Sequence, residues 1–243
     1  LYHVLDTSEE VRMPWDTVLG VALIMGLAGL AILIVLWPGE KHGKRLLVRW
    51  GVPDPDAAEV ALAVRYLKRR RLWYPWLFLA IPPVLDGTGA GSIVATLLLG
   101  GLIAELLAQR PSRGPRREAE LVPRTLLGIV PAWALALGAL AAAGSIVHLA
   151  LTAQGRLLAI AAGTIVVCAA ITALAVRRPA AGAPRADLAL RCRSARVAIG
   201  LGIGACTAIG WPGGDLGSFL VVVAGVAAFL AVTAPVKRLP AAA

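Results

Sequence analysis

The chain has 243 residues, of which 58% are hydrophobic and only 16% charged, and it carries a net charge of +10. A soluble domain carries roughly 25% charge spread over its surface; here Lys and Arg crowd into a few segments between long uncharged runs, the pattern of membrane spans and their loops. The basic balance comes without a glycine-aromatic or Cys/His nucleic-acid signature, so anionic phospholipid headgroups, and not nucleic acid, are the expected partner of the positive charge.

Leu1 to Arg12 lacks the basic n-region of a signal peptide. The first predicted span covers 16–37. Asp16 is a candidate cap, Thr17 to Trp37 gives 21 uncharged residues, and Trp15 and Trp37 mark the two ends; that length crosses a hydrocarbon core of roughly 30 Å. The segment 38–71 reads as a cytoplasmic loop holding a juxtamembrane amphipathic helix over Asp56 to Arg70. Asp56 and Glu59 supply a partial capping box there, and Val60, Val64 and Leu67 recur at helical spacing.

Two short apolar segments follow, at 72–86 and 90–109. Pro75, Pro82 and Pro83 interrupt the first, and Asp86, Gly87 and Gly89 provide a turn. They predict a hairpin of two short or tilted spans, with a re-entrant loop as the alternative. After the basic stretch Arg110 to Arg124 come spans at 125–151 and 157–176, joined by the turn Gln154, Gly155 and Arg156. A third basic loop is read over Arg177 to Arg196, before spans at 197–211 and 216–236.

The charge ledger orients this all-α, polytopic transmembrane helix bundle. Twenty-two Lys and Arg residues fall on one side of a seven-span arrangement and two, Arg12 and Arg156, on the other. By the positive-inside rule the N-terminus is extracytoplasmic, the C-terminus cytoplasmic, and the protein sits in the cell membrane. The Arg110, Pro111, Gly114 and Arg178, Pro179, Gly182 patterns suggest repeated hairpins of one orientation. Small residues at four-residue spacing, strongest at Gly200, Gly204 and Ala208, predict a helix buried in the bundle or at a subunit contact.

Few residues carry chemistry. Glu105, an acid in an apolar run, is a candidate for an ion or proton path or for an interhelical pair with a cytoplasmic Arg. His148 is a candidate proton-exchange group, or else an interfacial histidine bonded to a backbone carbonyl. Asp86 and Asp215 either form a cation-attracting mouth or cap turns and helix starts. The basic runs Lys68, Arg69, Arg70, Arg71 and Arg113, Arg116, Arg117 are lipid or protein contacts or topology determinants alone.

Cys168, Cys192 and Cys206 cannot form a disulfide framework, and no spacing suggests a metal or a cofactor. Hydrolase, zinc-protease and Walker motifs are missing from the sequence. The reading favours a non-catalytic membrane subunit that anchors or regulates a larger transport or envelope assembly. Its partners would be other membrane subunits, a second copy, or a cytoplasmic protein. The alternatives are a small transporter or channel using Glu105 and the break at 82–91, and a membrane lipid-processing enzyme. The Ala, Gly, Arg and Pro content suggests a bacterial source.

Overall fold

A computed structural model describes residues 18–35, 37–85, 90–109, 125–179, 182–211 and 214–235. Among these the chain is helical, with no strand: α1 (Val18–Val35), α2 (Glu40–Arg49), α3 (Ala57–Leu72), α4 (Tyr74–Leu85), α5 (Ala90–Ala108), the short α6 (Leu126–Ile129), α7 (Ala132–Leu151), α8 (Gly155–Arg177), α9 (Pro184–Gly210) and α10 (Leu216–Thr233). Helices α7, α8, α9 and α10 are long and apolar enough to cross a membrane. Helices α1 and α2, bent by 95°, add a fifth crossing if counted as one broken span, and Ile93–Ala108 is apolar but shorter. This is the composition of a multi-pass membrane protein.

Helix α9 is the centre. Of its most apolar stretch 94% is buried, against 17% for the corresponding stretches of α7, α8 and α10, so one helix is wrapped by protein while the others turn Leu, Val and Phe side chains outward. It packs against α3, α5, α7, α8 and α10, and α1 lies along α4. Residues 184–196, read from sequence as part of a basic loop, are the first half of this helix. Pro184 stands in its first turn, where a missing N–H costs nothing. The helix persists through five charged residues because each side chain finds a partner on a neighbouring element.

Several local signals are realised in the backbone. Asp56 caps α3 with its carboxylate on the Glu59 N–H (2.8 Å), and Glu59 returns the bond to the Asp56 N–H (3.0 Å). Helix α2, unmarked in the sequence reading, ends in a Schellman motif. Gly51 takes φ +86°, its N–H reaches the Val48 carbonyl, and the Val52 N–H reaches that of Leu47. Leu47 and Val52 are both buried in the same apolar cluster.

Close helix approach depends on glycine at a few contacts. A Cβ on Gly29 would stand 2.9 Å from both the Pro75 Cα and the Tyr74 carbonyl, and one on Gly43 would stand 3.0 Å from the Val60 carbonyl. Gly200, placed on a packing face by its spacing, lies against Thr233 and Phe229 of α10, while Gly204 faces Leu98 of α5 and Ala208 is half-buried.

Helix α7 ends on the same motif as α2, but with Ala153 at φ +54° in the left-handed position. That backbone crowds a Cβ against the carbonyl, and the strain exceeds the entropy that glycine adds to the unfolded chain. Ala153→Gly is expected to stabilise the protein by about 0.5–1 kcal/mol, read as a rise in detergent melting temperature. Gly29→Val is expected to destabilise it by about 1–3 kcal/mol through overpacking of α1 on α4. Gly163→Ala, where a Cβ meets nothing within 4 Å, should be neutral or better in the same measurement.

Candidate functional site

The most concentrated polar chemistry lies where α3, α5 and α9 meet. Tyr66 and Arg70 are one turn apart on α3. Glu105 and Gln109 are one turn apart at the end of α5, and Arg193 and Ser194 lie on α9. The pairs on α3 and α5 each share one helix face, while Arg193 and Ser194, neighbours in sequence, approach Glu105 from adjoining faces of α9.

Glu105 is fully buried. Its Oε1 accepts from the Tyr66 hydroxyl and from Ser194 Oγ (2.5 Å), and the Tyr66 oxygen in turn accepts from Arg193 Nη1. Arg70 Nε lies 3.0 Å and Arg193 Nη1 3.6 Å from Oε2. The Arg70 contact is one of charge, since its angle does not meet that of a hydrogen bond. A carboxylate so far from water needs such neighbours to remain charged. Arg193 also stands over the Tyr66 ring at 5.2 Å, and Arg70 over Tyr74 at 5.8 Å. Burial pushes the Tyr66 phenol above its ordinary pKa, so it stays protonated and donates.

A second network adjoins the first through α5. Gln109 Oε1 accepts from Arg178 Nη1 (3.1 Å), and Arg178 Nη2 donates to Asp187 Oδ1 (3.1 Å). Arg191 is the largest fully buried side chain among the described residues. Its Nε donates to Asp187 Oδ2 (2.6 Å), and its two terminal nitrogens donate to the carbonyls of Ala175 (2.9 Å), Val176 (3.4 Å), Arg178 (2.7 Å) and Pro179 (2.9 Å). The Ala175 and Val176 carbonyls are unpaired acceptors in the last turn of α8, at the negative pole of its dipole, and those of Arg178 and Pro179 follow directly after it.

Two further arginines of α9 act at other helix ends. Arg196 Nε donates to the Val232 carbonyl (2.8 Å) in the last turn of α10. Arg185 grips Glu59 with Nε (3.1 Å) and Nη2 (3.0 Å), fastening α9 to the first turn of α3.

The candidates from sequence are dispersed. His148 is half-buried on α7 and stacks on Trp211, ring centroids 5.3 Å apart. Trp211 follows α9 seventeen residues after Ser194, so His148 and Glu105 are separated by roughly 25 Å of helix rise. Asp215 caps α10, accepting from the Ser218 N–H (2.9 Å) and hydroxyl (2.7 Å). Asp86, Arg113, Arg116 and Arg117 lie outside the described residues, as does the Arg110–Arg124 half of the suggested repeat.

The run Lys68 to Arg71 does not share one face. Lys68 is exposed with its ammonium 5.6 Å from the Trp37 ring centroid, Arg70 turns to Glu105, and Arg71 is half-buried. Tyr66, Arg178, Arg185, Asp187, Arg191, Arg193, Ser194 and Arg196 escaped sequence reasoning. Their one local signal was Asp187 and Arg191 at a spacing of four, an acid one turn before a base inside a basic segment.

Elsewhere, Cys168 and Cys206 line an apolar cleft of about 200 Å³ between α7, α8 and α9, where the Cys168 thiol donates to the Ala198 carbonyl (3.2 Å). Among the described residues no three His, Cys, Asp or Glu side chains are grouped as metal ligands. The arrangement around Glu105 can hold charge and hold three helices in register. Comparison of the chain with protein-family models, curated proteins and solved structures finds no match.

Removing one member of the second network leaves its partners buried without compensation. Arg191→Met is expected to lower unfolding free energy by about 3–5 kcal/mol, measured by denaturation in detergent. Adding Asp187→Asn should cost less in that background than in the native chain, the sign of direct coupling.

Proposed function

We propose that the chain is a non-catalytic integral membrane subunit that anchors or regulates a larger transport or cell-envelope assembly. In this reading it crosses the cell membrane seven times at the intervals given above, with the N-terminus outside and the C-terminus in the cytoplasm, and α3 is a juxtamembrane helix on the cytoplasmic side. Other membrane subunits or a second copy, and a cytoplasmic protein, are its partners.

One observation carries the proposal. Glu105, the acid buried within an apolar helix, is clasped by Tyr66, Arg70, Arg193 and Ser194 from two other helices. A carboxylate engaged on both oxygens serves as a fastener for the helices that surround it. The bundle so locked offers outward faces of Leu, Val, Phe and Trp to lipid or to neighbouring subunits.

A second reading, a small transporter or channel centred on Glu105, draws on a different fact. Thr96, on the same helix, and Gln109 at its end each keep a buried polar atom without a hydrogen bond, and Pro82 and Pro83 stand inside the neighbouring α4, where each removes a backbone N–H. Such groups are available to a passing ion or proton.

The two readings separate on Glu105→Gln, which keeps an acceptor for Tyr66 and Ser194 and removes the charge. The subunit reading expects a partner at fixed stoichiometry after gentle solubilisation from the native membrane. It also expects no Glu105-dependent flux in proteoliposomes, and a lower melting temperature for the variant. A chain that purifies alone and drives a flux that collapses in Glu105→Gln overturns it.

A further inference from the structure

Among the described residues, the basic face of helix α2 has no acidic partner. Gly43 and Leu47 are buried, with Gly43 seated against Val60 and Val64 of α3. On the other side Lys41, Lys44, Arg45, Val48 and Arg49 are exposed and recur at three- and four-residue spacing along one face. The helix contains one acid, Glu40, in its first turn.

Its direction is as informative as its charge. Helix α1 exposes Leu23, Ile24, Leu27, Leu30, Ile34 and Val35, as a helix in lipid does, and α2 is bent from it by 95°. With α1 near the membrane normal, α2 runs along the membrane plane. Trp37, 49% exposed and beneath the Lys68 ammonium, stands at the bend where an amphipathic ring marks the headgroup level. Because Gly43 and Leu47 face α3 and the bundle, the basic stripe points away from the protein at that depth.

We infer that α2 is an interfacial helix whose Lys41, Lys44, Arg45 and Arg49 bind the phosphate groups of anionic phospholipids in the leaflet beside it. Four cations at helical spacing match a layer of phosphates, and Val48 between them reaches the apolar boundary below. The inference rests on the membrane placement of α1 in the proposed function, and not on its number of crossings or its protein partner.

The test uses the full chain with Cys168, Cys192 and Cys206 replaced by Ala and a nitroxide on Val48→Cys. It is reconstituted in vesicles of phosphatidylcholine, with or without phosphatidylglycerol. In the mixed vesicles the label should be shielded from a water-soluble relaxant, and lipid retained by the purified chain should be enriched in phosphatidylglycerol. Replacing the four cations with Gln should remove most of that enrichment, bringing the retained lipid toward the composition of the vesicle. The swaps Lys41→Arg, Lys44→Arg, Arg45→Lys and Arg49→Lys should preserve it and so control for folding.

Enrichment unchanged in a folded Gln variant overturns the inference. So does a Val48 label open to the aqueous relaxant in both vesicles. A label on Leu27→Cys distinguishes the deeper failure: aqueous exposure there would overturn the membrane placement of α1 itself.

Discussion

Charge taken out of water must be answered by charge or by hydrogen bonds, and the first half of α9 is organised by that requirement. Arg191 meets four carbonyls at the end of α8 and one carboxylate. Arg196 meets a carbonyl at the end of α10, exposed Arg185 answers buried Glu59 in the first turn of α3, and Arg193 meets Glu105 of α5 through Tyr66 and Oε2. Helix ends have unpaired polar groups wherever they occur. Gathering several of them around one charged helix satisfies both sets of groups together.

The second half of α9 solves a different problem. Beyond Ser194 small side chains become frequent, and Gly200, Gly202 and Gly204 leave room for Thr233 and Phe229 of α10, Cys168 of α8 and Leu98 of α5. Bulky residues sit on the opposite faces of α1 and α10, where Leu23, Leu27, Phe219 and Leu220 are exposed. This inversion, small inside and large outside, follows when the surrounding medium is itself apolar and burial from water no longer selects the core. The two halves of α9 therefore hold their neighbours by different forces, hydrogen bonds and ions in one, dispersion in the other.

What was legible in the sequence divides along the same line. Apolar runs announce α7, α8 and α10 because hydropathy alone determines them, and the Asp56–Glu59 and Asp215 caps are local patterns realised with their expected donors. Glu105 stood out because an acid in an apolar run has no cheap local solution. Residues 184–196 were unreadable as helix: five charges in thirteen residues resemble a solvated loop unless the partners on other helices are known. The same limit hid the inward turn of Arg70, which one-dimensional charge counting grouped with Lys68. Helix α2 was missed because a ten-residue helix between a span and a turn gives little periodicity to detect.

The order in which the chain is made bears on the arginines of α9. The carbonyl acceptors of Arg191 and the acids that answer Arg185 and Arg193 all precede α9 in sequence, so they are in place when it emerges. Val232, the acceptor of Arg196, comes thirty-six residues later. Of the four arginines of α9, Arg196 alone depends on a group encoded after it, so the contact that ties this end of α9 to its last neighbour requires α10 to be present through Val232.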